Sequence, residues 1–180
     1  DQLRSLHQDM KQRVRAQAAV AWNARPITSA RLAMETLAAL KGVEWSLVAG
    51  NQSTNAWTAS LWPMTQYYHH LGGSGGAGVG YSTPAAVGAA LGFRGKGVLP
   101  VAFVGDGDAL YAPGVLWTAA HHRIPVLMVV YNNRAYHQET MHLQRMAGMR
   151  NRRPDQAHIG TNIYDPNVDF RKIAEGCGVF

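Results

Sequence analysis

The residues best placed to do chemistry are an acid and an amide. Asp106 lies in Gly105-Asp106-Gly107-Asp108, directly after the apolar run Val98 to Val104. Asn133 lies in Asn132-Asn133, directly after the apolar run Ile124 to Tyr131. An Asp and an Asn, helped by a backbone carbonyl, are hard oxygen donors that suit Mg2+ or Ca2+ rather than zinc or copper. Two side chains do not fill an octahedron. Mg2+ commonly completes its shell with phosphate oxygens and water, so the pair predicts a phosphorylated cofactor as well as a metal. Gly105 and Gly107 let the backbone turn tightly and approach a ligand closely. The amides of Gly107, Asp108 and Ala109 lie just before a predicted helix, where free N–H groups and a positive dipole end suit diphosphate. Either motif alone reads more readily as a plain turn or a helix cap. The two together, each after a buried strand, read as a site.

The elements that must carry these residues follow from periodicity and punctuation. Residues 1 to 22 read as a polar helix with apolar positions Leu3, Leu6, Met10 and Val14, broken by Pro26. Thr28 or Ser29 caps a second helix, Ala30 to Leu40, with Gly42 beyond its end. Ser46 to Ala49 is a short strand, followed by the polar cluster Gly50 to Asn55, where open α/β sheets place ligand groups. The glycine-dense stretch Gly72 to Gly80 leads to Ser82-Thr83-Pro84 and a helix to about Leu91. A helix over about 111 to 122 separates the two apolar strands, so a right-handed crossover sets them side by side or nearly so. A further helix falls within 136 to 148, a polar loop over 150 to 167, and a last helix over 168 to 175 with Gly176 as its stop. Unbroken apolar strands alternating with helices predict an α/β fold: a doubly wound, mostly parallel sheet with helices on both faces.

Composition narrows the classes. Of the 180 residues, 47% are hydrophobic and 16% charged, which excludes a disordered tail. No apolar run reaches the roughly 18 residues of a membrane span. The single cysteine, Cys177, excludes an intrachain disulfide and a thiolate metal cluster, fits a reducing compartment, and reads as a buried small residue. The chain begins at Asp1 without a signal-like segment. The net charge of +6 arises mainly from Arg4, Lys11, Arg13, Arg15, Arg25 and Arg31 and from Arg145, Arg150, Arg152 and Arg153. Neither group carries zinc-finger spacing or an aromatic RNA-binding signature, so solvated faces with some anion attraction are expected, and no nucleic acid or membrane partner.

Gly105-Asp106-Gly107, with Asn132-Asn133 beginning 25 residues after Gly107, resembles the thiamin diphosphate signature, and Gly105 to Tyr136 resembles the diphosphate-binding domain of the acetolactate synthase and benzoylformate decarboxylase group. The likeness extends upstream to the cluster at 51 to 55 and the glycine stretch before Pro84-Ala85-Ala86, over roughly residues 25 to 180. It implies a basic lead-in helix over 1–25 and a thiamin diphosphate-binding domain over 26–180 that stops before its last strand and helix. It implies Mg2+ held by the side chains of Asp106 and Asn133 and the carbonyl of Ala135. Cofactor contacts would come from Asn51, Thr54, Asn55, Ala77, Gly78, Val79, Gly105, Gly107, Asp108 and Ala109. Val79 would match the hydrophobic wedge that bends the cofactor, and Ala77 would offer its carbonyl to the aminopyrimidine. Asp108 stands where a small neutral residue is common, and its carboxylate is expected to turn away from the diphosphate and cap the helix.

The implied activity is C–C bond cleavage by decarboxylation, or carboligation, on a 2-oxo acid or related carbonyl donor, with the cofactor performing the hard step. His137, Gln138 and Glu139 would lie near the substrate, His137 as a relay. Gln138 and Glu139 stand where relatives often carry apolar residues and hint at a more polar pocket. The glutamate that activates the cofactor in this family has no counterpart here. A pyrimidine-binding domain of the same longer chain or of another subunit would supply it, in a cytoplasmic homodimer or homotetramer, and this chain alone would be inactive. Two alternatives remain: a degenerate domain of the same fold kept for assembly or regulation, and a Mg2+-dependent phosphohydrolase with Asp106 as nucleophile.

Other features take plainer readings. Gly73 to Gly78 matches the dinucleotide pattern, but no convincing strand precedes it and no acid lies about 20 residues on. His69-His70 and His121-His122 diverge as adjacent pairs and suit surface or helix-end roles. Met141, Met146 and Met149 suit a core or a loop. Tyr67, Tyr68, Trp57 and Trp62 suit a subunit interface.

Overall fold

The apolar runs Val98 to Gly105 and Leu127 to Tyr131 are strands at the centre and one edge of a single parallel sheet. The computed structural model of the chain describes every residue except Asp1, Ala49, Gly50, Asn51 and Ala77. Of Gln52 to Asn55 it describes the backbone alone. β1 (Glu44–Val48), β2 (Val98–Gly105) and β3 (Leu127–Tyr131) lie in that order, all parallel, with Val48 opposite Ala102 and Gly105 opposite Tyr131. The helices are α1 (Gln2–Ala19), α2 (Ser29–Ala39), α3 (Gln52–Leu61), α4 (Ser82–Gly92), α5 (Asp106–Tyr111), α6 (Gly114–His121), α7 (His137–Met149) and α8 (Phe170–Gly176), with a 3-10 turn at Pro154–Gln156. Among the described residues, no helix is long and apolar enough to cross a membrane.

Alternation along the strands feeds two cores. Trp45, Leu47, Val101 and Phe103 face one side and bury against Leu40 and Trp62, with Leu32 and Leu37 of α2 packed behind. Val48, Ala102 and Val104 face the other side and bury against Ala86, with Ala85 and Ala89 of α4 and Ala109 of α5. Helices therefore cover both faces, as a sheet built from apolar parallel strands requires. The small residues of α4 let it lie close to the sheet. On the opposite face the fill is aromatic. Trp62 meets Trp45 edge-on at 4.8 Å and Phe103 at 5.8 Å, and its indole N–H donates to the Ala33 carbonyl at 3.0 Å. Trp62 is thus a core residue, not part of the exposed aromatic surface its sequence neighbours suggest. Tyr67 does stand exposed.

Several boundaries move for identifiable reasons. β3 starts at Leu127 rather than Ile124. Pro125 has no N–H for the ladder, and the Ile124 amide turns back to the Ala119 carbonyl at 2.9 Å, closing α6 behind Arg123 at φ 50°. The helix expected over 111 to 122 is two helices. The first begins at Asp106, and Pro113 separates it from α6. Gly176 is the last residue of α8 and not its stop. The left-handed residue is Gly178, whose amide bonds Glu175 while that of Val179 bonds Ala174, both at 2.9 Å. The polar cluster after β1 is only in part a loop, since α3 begins at Gln52 and takes Thr54 and Asn55 into its first turn. Asn51 lies outside the described residues.

His69 departs furthest from a surface role. It is buried and stacks on Trp45 at 4.2 Å. Its Nδ1 accepts from the Thr65 and Gln66 amides at 3.1 and 3.3 Å and lies 3.1 Å from the Pro63 carbonyl. Two amide donors on Nδ1 assign the ring proton to Nε2, which faces Glu44 Oε1 at 3.1 Å. The adjoining backbone pairs with the outer edge of β1: the Leu47 amide bonds His69 and the Leu71 amide bonds Leu47, both at 3.0 Å. His70, His121 and His122 are exposed, as read. The methionines of α7 are not core, because that helix buries no residue. Cys177 is half-buried.

Candidate functional site at the ends of two strands

β2 and β3 are paired to their last residues, so the chain leaves the sheet at one level on two neighbouring strands. Asp106 and Asn132-Asn133 are the residues it leaves on. Asp106 is the first residue of α5 and is 2% exposed. Its Oδ1 accepts from its neighbour's amide, Gly107, at 2.8 Å, and its Oδ2 accepts from the Arg134 amide across the strand gap. Asn133 Oδ1 accepts from the Ala135 amide at 3.1 Å. The acid of one strand tip and the amide of the other are therefore held by consecutive backbone N–H groups. Arg134 makes this possible by adopting φ 62°, which turns the loop. Among the described residues, no cationic side chain pairs with the buried Asp106 carboxylate.

The loop after β3 is braced from outside. The Tyr136 amide bonds the Thr161 carbonyl and the Ile163 amide bonds the Arg134 carbonyl, both at 2.7 Å, as an antiparallel bridge centred on Ala135 and Asn162. In that pattern the polar groups of the central residue point away from the bracing segment. The Ala135 carbonyl accepts no hydrogen bond among the described residues. The carboxylate of one strand tip is thus bonded to the loop that carries an amide oxygen and a backbone carbonyl at the other, all hard oxygen donors.

Gly107 is a close-approach glycine, but what approaches is protein. A Cβ there would stand 2.2 Å from Cε1 of Tyr136. Tyr136 lies over the start of α5, donates from its hydroxyl to the Gly107 carbonyl at 3.5 Å and meets Tyr111 edge-on at 6.4 Å. Burial, with Tyr111, Asp106 and Glu139 nearby, raises its pKa. Gly105 has open space on its Cβ side except for Asp108 Cβ at 3.8 Å.

Asp108 does not cap α5, which has no side-chain cap. Its Oδ1 accepts from the Gly80 amide, and its Oδ2 is buried without a partner among the described residues. Gly78 and Val79 precede that contact in the glycine-rich loop, Val79 being exposed, and Ala77 lies outside the described residues. His137, Gln138 and Glu139 form the exposed first turn of α7, and Gln138 and Glu139 line an open depression with His142 and Leu143. The structure thus brings Asp106, Asn133, Ala135 and Gly107 together at the strand ends. Gly78 and Val79 join them by way of Asp108, and the side chains of Thr54 and Asn55 are not described. Tyr136, Arg134 and Gly80 have structural roles the sequence did not signal. A left-handed Arg has no compositional mark, and Tyr136 reads only as the residue before a helix.

A parallel sheet with polar turns at the carboxyl ends of adjacent strands defines an α/β ligand-binding domain. Comparison with known proteins narrows that class. Residues 50–180 match the thiamine pyrophosphate enzyme family in its C-terminal TPP binding domain, and the chain belongs to that family. It is 39% identical over 104 residues to IlvX of Mycobacterium tuberculosis, provisionally described as an acetolactate synthase large subunit, covering 58% of this chain and 20% of that one. It is 35% identical over 102 residues to benzoylformate decarboxylase of Pseudomonas aeruginosa, covering 57% and 17%. Among solved structures, the thiamine diphosphate-dependent 4-hydroxybenzoylformate decarboxylase of Rhodococcus jostii matches over 84% of this chain and 26% of that one, with TM-score 0.64 and 27% identity. The chain spans about a fifth of the length of the curated relatives it matches.

Proposed function

We propose that this chain supplies the metal- and diphosphate-binding half of an active site in a thiamin diphosphate-dependent enzyme acting on a 2-oxo acid or related carbonyl donor. The observation that carries the reading is the buried Asp106 carboxylate. Among the described residues no cationic side chain pairs with it, and the backbone ties it to the loop that bears Asn133 and Ala135. That donor set fits Mg2+, which prefers oxygen and leaves positions for phosphate oxygens and water.

Bound there, thiamin diphosphate would supply the electron-accepting chemistry that C–C cleavage or carboligation next to a carbonyl requires. The chain's own part is positioning and electrostatics. Asp106, Asn133 and Ala135 would hold the cation against the diphosphate. Amides at the start of α5, from Asp108 and Ala109, would face its oxygens, as would Asn51, Thr54 and Asn55 after β1, while the Gly107 amide holds Asp106. Gly78 and Val79 would line the ring-bearing end, next to Ala77. His137, Gln138 and Glu139, on the open first turn of α7, would meet the substrate. A pyrimidine-binding domain, elsewhere in a longer chain or in a second subunit, would complete the site in a homodimer or homotetramer. A cytoplasmic setting would suit such an enzyme.

Asp106→Asn tests this. It removes the charge and keeps one of the two oxygens that accept from the Gly107 and Arg134 amides, so a thermal melt of the variant is read first to show that the fold survives. In titration calorimetry on the complete assembly, thiamin diphosphate with Mg2+ should bind wild type and lose at least about 100-fold in affinity in the variant, the scale of losing a charged metal ligand. Unchanged affinity would remove Asp106 from the metal site.

A further inference from the structure

Asp108 is the residue of the Gly-Asp-Gly-Asp turn that the metal site does not use, and its surroundings are unlike those of a phosphate contact. One carboxylate oxygen is taken by the Gly80 amide and the other is shut away from solvent with no partner among the described residues. The bond spans 28 residues, from the glycine-rich loop to the second turn-forming residue after Asp106. It is reinforced by packing: Gly80 sits at φ 91°, and a Cβ there would stand 2.7 Å from Cβ of Tyr111, at the other end of α5. Two successive contacts thus seat the Gly80 backbone on α5, one polar and one steric. The same helix, through Asp106, is tied to the loop after β3. α5 therefore has the strand-tip loop on one side and the glycine-rich loop on the other.

We infer that Asp108 is a positioning residue. Its carboxylate latches the Gly80 amide, and so fixes Gly78 and Val79 relative to Asp106. This rests on the proposed site, in which Val79 and Asp106 serve opposite ends of one cofactor. The latch explains why a carboxylate is tolerated beside an anion-binding turn: its charge is engaged by a backbone donor and turned inward. A charge-assisted hydrogen bond to a backbone amide is among the stronger single polar contacts. A loop of glycines otherwise has few side chains with which to hold itself.

The test is made on the complete assembly with Asp108→Ala and Asp108→Asn, the second keeping an oxygen acceptor for Gly80. Hydrogen exchange of the segment 78–81 without cofactor is read first, with the β2 amides as the control for the fold. Asp108→Ala should exchange there at least about 10-fold faster than wild type, the size of one lost charge-assisted bond, and Asp108→Asn should recover most of the protection. Affinity for thiamin diphosphate at fixed Mg2+ should fall in the same order. Unaltered exchange in the Ala variant would overturn the latch. So would tighter cofactor binding in both variants, the result expected if the carboxylate merely repelled diphosphate. If Asp106→Asn abolishes binding while the Asp108 variants match wild type, only the latch fails. If Asp106→Asn also leaves binding intact, the site itself fails.

Discussion

A Cβ on Gly107 would meet three ring atoms of Tyr136, the nearest at 2.2 Å and the farthest at 2.9 Å, whereas one on Gly105 would meet only Asp108 Cβ at 3.8 Å. The two glycines flank the same aspartate, yet only one is sterically required. The ring cannot step aside cheaply, since it is packed edge-on against Tyr111 and its residue is pinned by the Thr161 carbonyl. Gly107→Ala should therefore destabilise by about 1–3 kcal/mol, the usual cost of overpacking. Gly105→Ala, at φ −67°, should stay within about 0.5 kcal/mol. Urea unfolding of the two variants separates them, and equal losses would show that Tyr136 does not close over Gly107. At this scale the sequence distinguished residue types but not neighbours. It marked both glycines as places where a ligand could come close, and could not tell that a tyrosine 29 positions on fills one of them.

Among the elements, the turn between α3 and the glycine-rich loop is held by a small polar network as well as by its backbone bridge to Leu47 of β1. Glu44, at the start of β1, accepts from Tyr68 at 3.0 Å and from His69 at 3.1 Å. The His69 hydrogen bond, and then that of Tyr68, hold the Glu44 carboxyl below its usual range. A carboxyl whose pKa is lowered in the folded state adds stability above its unfolded pKa, and that stability is lost as the pH falls through the folded value. Acid should therefore loosen this turn. Below about pH 5 the wild type should lose stability more steeply than Glu44→Gln, while the two curves run parallel near neutrality. Thermal melts across that range are the measurement, and identical acid limbs would show that the network adds nothing to folding. Adjacent histidines in a sequence point in different directions, which was legible. That one of them would be buried was not, because its burial depends on Trp45 arriving from β1. The strands and the order of helices were legible because apolar runs of that length, punctuated by Gly and Pro, have few other uses. The split of the helix after Asp106, and its early start, depended on how the Gly105 and Pro113 backbones chose to turn.

Across the whole molecule, the sheet sorts its side chains by size. Alanines on α4 meet Ala102 and Val104 on one face, and two tryptophans with Phe103 fill the other. Phe103 is wholly buried and touches both Trp62, which bonds α2, and Tyr131, the last residue of β3, whose ring centroid lies 5.6 Å away. It therefore links the helical cover to the strand end from which Asn132 and Asn133 depart. Ala102, beside it in sequence, faces the other side of the sheet, against Ala86 of α4. Truncating Phe103 should be more than a local loss. A Phe→Ala change in a core costs about 3–5 kcal/mol, a large share of the roughly 5–15 kcal/mol that holds a domain together. Because the cavity would open beneath the end of β3, cofactor affinity should fall as well as stability. Phe103→Leu, which keeps most of the volume, should cost less than half as much on both counts. Chemical unfolding and titration calorimetry on the same samples test the link. If stability falls in Phe103→Ala while affinity in the folded fraction does not, the two strand tips hold their geometry independently of the aromatic core beneath them.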